Sequence, residues 1–86
     1  MAVAIAVRTR YLARLRELAG VELEVMHASV GATLGDVYEA ARAKHASLPQ
    51  RGSVRGAINL EFADWSARVA DGDEVAFIPP VSGGSS

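Results

Sequence analysis

The sequence predicts an α+β domain: one main helix on a small mixed sheet, with a short second helix beside it. Three observations carry this expectation. Alternating apolar positions stand near the start (Val3, Ile5, Val7), after the first glycine (Val21, Leu23, Val25) and near the end (Val75, Phe77). Leu34, Val37, Tyr38 and Ala41 fall at i, i+3, i+4 and i+7, the clearest helical stripe in the chain. Turn and breaker residues separate these segments, at Gly20, Leu48-Pro49, Asp71-Gly72-Asp73 and Pro79-Pro80.

Taken in order, the elements read as follows. Val3 to Val7 is a strand, with Arg8 to Arg10 as a polar exit. Leu12, Leu15 and Leu18, with Tyr11 one turn before Leu15, have helical spacing and form a short helix that Gly20 stops. Val21 to Met26 is a second strand, hairpinned to the first, with Val21, Leu23 and Val25 on one face. Thr33 caps the main helix, and Asp36 three residues on completes a capping box with Asp in place of Glu. The helix ends near His45, before the Leu48-Pro49 break. Gln50 to Ser53 is a polar link. Val54 to Phe62 reads as one strand interrupted by Gly56, and Asp64 to Ala67 as a turn containing Trp65. Asp71-Gly72-Asp73 turns into the last strand, Glu74 to Ile78, which Pro79-Pro80 ends. The β-grasp of ubiquitin-like proteins is the obvious architecture of this order, with the first and last strands parallel at the sheet centre. Residues 1–80 form the domain, and 81–86 a flexible C-terminal tail.

Composition narrows the function. Half of the 86 residues are apolar, enough for a core. The formal net charge of -1 offers no basic surface for nucleic acid or an anionic membrane. No cysteine is present, so any sulfur the protein handles is not held on its own thiol. No apolar run is long enough to span a bilayer, and Met1 to Val7 lacks the basic leading region of a signal peptide. The expected location is the cytoplasm.

Few residues inside the domain suggest chemistry. His27 and His45 fall in separate elements with no spaced set of ligands, so no metal site is expected. Asp71, Asp73 and Glu74 read as turn residues rather than a cation loop. Gly83-Gly84 is no phosphate loop, because no helix follows it. The tail differs: Pro79-Pro80 stiffens the exit from the last strand, and Val81-Ser82-Gly83-Gly84 extends beyond it. Two glycines without side chains can pass through a narrow tunnel into a partner's active site. An inert Gly/Ser end accounts for the same residues equally well.

Asp71 to Gly84, reading DGDEVAFIPPVSGG, resembles the C-terminal signature of the small subunits of molybdopterin synthase, the MoaD family. Tyr11 to Gly20, Ala32 to Val37 and Ala57-Ile58-Asn59 resemble further stretches of the same family. The resemblance implies a β-grasp fold and a sulfur-carrying C-terminus. An adenylating enzyme of the MoeB type would activate the Gly84 carboxylate with ATP and magnesium, and a persulfide donor would convert it to a thiocarboxylate. The tail would then enter a large catalytic subunit of the MoaE type and supply sulfur for the dithiolene that holds molybdenum. The implied assembly is a heterotetramer of two small and two large subunits. No cofactor is expected on this chain itself. Gly84, with Gly83, is the implied reactive site. The implied partner contacts are Leu12, Phe62 and Ile78, with Pro79, Pro80, Val81 and Ser82 leading to the glycines. Alternation alone puts Ile78 opposite Val75 and Phe77. For Leu12 and Phe62, ordinary core packing is an equal alternative. Arg16 is either a polar rim contact or a solvated helix residue.

One feature departs from the family pattern. Ser85-Ser86 follow Gly84, which therefore sits in a peptide bond. Either the serines are trimmed, or they are foreign to the natural chain, or this copy has kept only a binding role. Other sulfur pathways (cysteine, tRNA thiolation, thiamin) and isopeptide-forming protein modification remain alternative functions.

Overall fold

The computed structural model describes residues 4–80. Val3 and the whole 81–86 tail, with Val81, Ser82, Gly83 and Gly84, lie outside that part. The elements run β1 (Ala4–Tyr11), α1 (Arg14–Ala19), β2 (Leu23–Ser29), α2 (Leu34–Lys44), a 3-10 turn (Arg51–Ser53), β3 (Arg55–Ile58), β4 (Glu61–Ala63) and β5 (Glu74–Ile78). The sheet order is β2-β1-β5-β3-β4. β1 and β5 pair in parallel at its centre, and every other pair is antiparallel. This is the ubiquitin-like β-grasp that the element order anticipates.

Alternation along the central strands creates two unlike faces. Ile5, Val7, Thr9 and Tyr11 of β1 point into the core with Val75 and Phe77 of β5, all nearly inaccessible to water. Helix α2 covers this face with Leu34, Val37, Tyr38 and Ala41, the stripe read from the sequence, each at most 1% exposed. Aromatic rings fill the middle. Tyr38 meets Phe77 edge-on with centroids 4.7 Å apart, and Trp65 lies 5.5 Å from Tyr38. The Thr33–Asp36 capping box is formed at both hydrogen bonds, fixing where α2 starts. From the middle of the helix Tyr38 donates to the Pro49 carbonyl, and burial pushes its hydroxyl pKa up to about 12.

The structure corrects four element readings. β1 continues through Arg8–Arg10 to Tyr11: the arginines lie on the open face while Thr9 and Tyr11 turn inward, so the polar exit is still strand. Tyr11 consequently belongs to the strand, and α1 begins only at Arg14. β2 is displaced to Leu23–Ser29, with its apolar positions Leu23 and Val25 exposed and Met26 on the core side. The Val54–Phe62 segment is a hairpin rather than one strand. Gly56 does not interrupt β3; it faces the core, where an added Cβ would lie 2.6 Å from Leu34 Cδ2. The break falls at Asn59-Leu60, both at positive φ, which makes the two-residue loop of the I′ class.

His45 is more than a boundary residue. The Glu24 carboxylate on β2 accepts from Tyr11 Oη at 2.7 Å, from His45 Nε2 at 2.7 Å and from Lys44 Nζ at 2.8 Å. A carboxylate can only accept, so Nε2 of His45 carries the proton. The cluster ties the end of α2 to β1 and β2. Burial alone would raise the Glu24 pKa, but the three donors outweigh it and hold the carboxyl at about 2, against an ordinary 4.5. Burial, and then the same carboxylate, push the Tyr11 hydroxyl well above its usual range. A depressed carboxyl stabilises the fold fully above its unfolded pKa, and that contribution fades as pH falls from about 4.5 to about 2. Glu24→Gln is expected to cost about 1–3 kcal/mol at neutral pH. It should also flatten the stability profile on the acid side of 4.5, as measured by urea unfolding at stepped pH.

Candidate functional site

The face of the sheet opposite α2 is the candidate site, and cross-strand register composes it. Arg10 stands beside Ala76, Ala76 beside Ala57, and Ala57 beside Phe62. One step further along, Arg55 pairs with Ile78, and Leu12 N donates to the Phe77 carbonyl, which sets Leu12 next to Ile78. Two alanines at the centre of this array leave a shallow floor, and larger side chains rise around it. The result is a hollow of about 180 Å3 lined by Leu12, Ala57, Leu60, Phe62, Ala76 and Ile78.

Leu12, Phe62 and Ile78 thus come together on one surface. Core packing does not claim Leu12 or Phe62: Phe62 is 62% exposed, and Leu12 and Ile78 are only half-buried. Pro79 and Pro80 follow Ile78 directly, so the chain leaves the sheet from the edge of the hollow. Val81, Ser82, Gly83 and Gly84 lie outside the described residues. Sequence reasoning missed Ala57, Leu60 and Ala76. Ala76 was legible from its alternation with Phe77, but the other two required the hairpin register, and Asn59-Leu60 is a poor-looking hairpin turn.

Charge divides the open face. Toward β2, Arg10 bridges Glu74 at 3.1 Å and Glu22 at 3.3 Å, with Arg8 and Arg16 each 4.0 Å from one of these carboxylates. Arg16 is therefore a solvated partner of Glu22, more than half exposed and away from the hollow. Beside the hollow the charge is Arg55, whose guanidinium carbon lies 4.4 Å from the Phe62 ring centroid. The turn acids have structural partners: Asp71 accepts from Ala6 N, and Asp73 from Ala70 N and Asn59 Nδ2. Among the described residues no three His, Asp or Glu converge as metal ligands. No described helix is long and apolar enough to cross a membrane.

A small domain with an apolar hollow at the root of a Gly-Gly segment matches a known sequence family. Residues 9–84 match the ThiS family, a span that takes in Gly83-Gly84 and stops before Ser85. The chain belongs to the ThiS family. The chain is also similar to the molybdopterin synthase sulfur carrier subunit of Chlamydomonas reinhardtii, 36% identical over 81 residues that cover 91% of this chain and 98% of that one. Among solved structures, a putative molybdopterin converting factor subunit 1 from Pyrococcus furiosus superposes with a TM-score of 0.80 at 30% identity. It covers 90% of this chain and 99% of its own. The small archaeal modifier protein 1 of H. volcanii gives a TM-score of 0.81 at 27% identity, with the same coverage.

The division of faces sets an expectation for stability. Phe62→Ser and Leu60→Ser, on the open face, should change unfolding free energy by less than about 1 kcal/mol. Phe77→Ala, two strands away but facing α2, should cost about 3–5 kcal/mol. Guanidinium unfolding of the three variants measures both.

Proposed function

We propose that this protein is the sulfur-carrier small subunit of a molybdopterin synthase, acting in the cytoplasm. The observation that carries the reading is the meeting of two features at Ile78. That residue lines the apolar hollow and is also the last strand residue before the segment ending in Gly83-Gly84. A partner seated on the hollow would find Gly84 within roughly 20 Å, the reach of six extended residues at about 3.3 Å each. Full-length similarity to a molybdopterin synthase carrier, and a family match that extends to Gly84, support the same reading.

The chemistry follows from what a carboxylate lacks. It is a poor electrophile, so the Gly84 carboxylate attacks the α-phosphate of ATP on an adenylating partner, expelling pyrophosphate and forming an acyl-adenylate. The terminal sulfur of a persulfide donor attacks the acyl carbon and AMP leaves. A thiol then reduces the acyl disulfide to the Gly84 thiocarboxylate. Gly83 and Gly84, without side chains, carry this group into the active site of a large catalytic subunit, where the sulfur passes to a pterin precursor. Leu12, Phe62 and Ile78 dock the small subunit, and Pro79, Pro80, Val81 and Ser82 span to the reaction centre. A dithiolene needs two sulfurs, which suits two small and two large subunits. The carrier binds no cofactor; ATP and magnesium belong to the adenylating enzyme. Ser85-Ser86 must be absent for any of this, because Gly84 in a peptide bond has no carboxylate to activate.

Similarity to an archaeal modifier protein favours a second use of the same activated glycine, transfer to a lysine amine as an isopeptide. Two chains distinguish the possibilities, one ending at Gly84 and one ending at Ser86, each mixed with the host's adenylating enzyme and ATP. The carrier reading expects pyrophosphate release from the shorter chain alone, and a thiocarboxylate once a persulfide donor is added. Release from neither chain contradicts it, and lysine conjugates in cells without thiocarboxylate would favour the modifier.

A further inference from the structure

The tip of the β3–β4 hairpin displays what folded chains usually hide. Leu60 is 94% exposed, and its backbone sits at φ 74°, where a leucine is a steric misfit and glycine or asparagine is at ease. Asn59 beside it suits its positive φ and is anchored. Its side-chain oxygen accepts from Glu74 N at 3.0 Å and its amide donates to Asp73. The turn itself would be best served by Asn-Gly, so nothing in the fold asks for a leucine at position 60. The three non-glycine residues at positive φ among those described are Ala13, Asn59 and Leu60. Each adjoins or lines the hollow, and backbone strain of this kind gathers at functional surfaces.

Arg55 adds a second mismatch. The open-face arginines near β2 all have carboxylates within 4.0 Å. Arg55, held over the face of Phe62, has none within that distance among the described residues. Arg10, next to Ala76, is already engaged by Glu74, so Arg55 is the cation beside the hollow that is left without a carboxylate. A two-fold contact between copies would bring the unpaired arginines of both chains to the same interface. The complementary surface is a protein with an apolar pocket and a carboxylate on its rim.

We propose that Leu60 and Arg55 form the specificity element of the docking face: Leu60 enters an apolar pocket of the partner protein, and Arg55 pairs with a carboxylate beside that pocket. The proposal rests on the reading that this face docks the large catalytic subunit, and adds the chemistry of the contact. It assigns the unfavoured leucine a role that a turn residue cannot fill.

The test is the affinity of the full chain for its host's large subunit, by calorimetry, with each variant's thermal midpoint recorded. Leu60→Gly gives effects of opposite sign. It should raise the midpoint, because it creates an Asn-Gly turn, and weaken binding about tenfold or more, the loss of a buried anchor. Arg55→Gln should leave the midpoint unchanged, weaken binding, and reduce its dependence on salt. Ile78→Asp is the control for the docking face and should abolish binding. If Ile78→Asp binds as the parent does, the docking reading fails. If it abolishes binding while Leu60→Gly and Arg55→Gln bind normally, only the present proposal is overturned. Self-association of the parent that disappears in Leu60→Gly would assign the face to a second copy and overturn it too.

Discussion

The parallel pairing of β1 with β5 is the constraint from which the rest of the structure follows. It joins the two ends of the domain at the centre of the sheet, with Thr9 beside Val75 and Tyr11 beside Phe77. Strand alternation then leaves no choice of faces. With Val75 and Phe77 inside against α2, Ala76 and Ile78 must be outside, and so must Arg8, Arg10 and Leu12. A slip of one residue would bury arginines and expose Phe77. The register that makes the core therefore also makes the hollow, and it delivers the chain to Pro79 at the edge of that hollow.

The polar clusters have structural partners: Glu24 collects Tyr11, Lys44 and His45 to pin the end of α2, and Asp71 and Asp73 close the turn into β5. The open face carries an apolar hollow, an arginine without a carboxylate partner and a leucine in a strained, exposed turn. These are the marks of a surface completed by another protein. The proposed carrier role fits that pattern: its chemistry would lie at the chain's own Gly84, and its partners would supply the acid–base groups.

Much of this was legible in the residues. The stripe of α2, its capping box and the limits of β5 follow from local spacing and local hydrogen bonds, and the structure agrees with each. The errors lie where tertiary pairing overrides local pattern. Arg8 and Arg10 look like a loop until β5 is placed alongside β1 and Glu74 comes within reach of both. Leu23 and Val25 look like core positions but face solvent, because the register with β1 puts Met26 inside. The Asn59-Leu60 turn carries no glycine and so hides a hairpin, and with it the approach of Ala57 and Phe62. Of the site, Leu12, Phe62 and Ile78 came from family resemblance, and only Ile78 also from alternation. Gly83 and Gly84 came from the motif and their chemistry rather than from packing.

Whether Gly84 is the reactive end of a sulfur carrier, as proposed, shows in the intact mass of the protein purified from its native host. A carrier gives a chain ending at Gly84, with a second species heavier by the exchange of one oxygen for one sulfur. A chain that always retains Ser85-Ser86 and never gains sulfur would contradict the proposal.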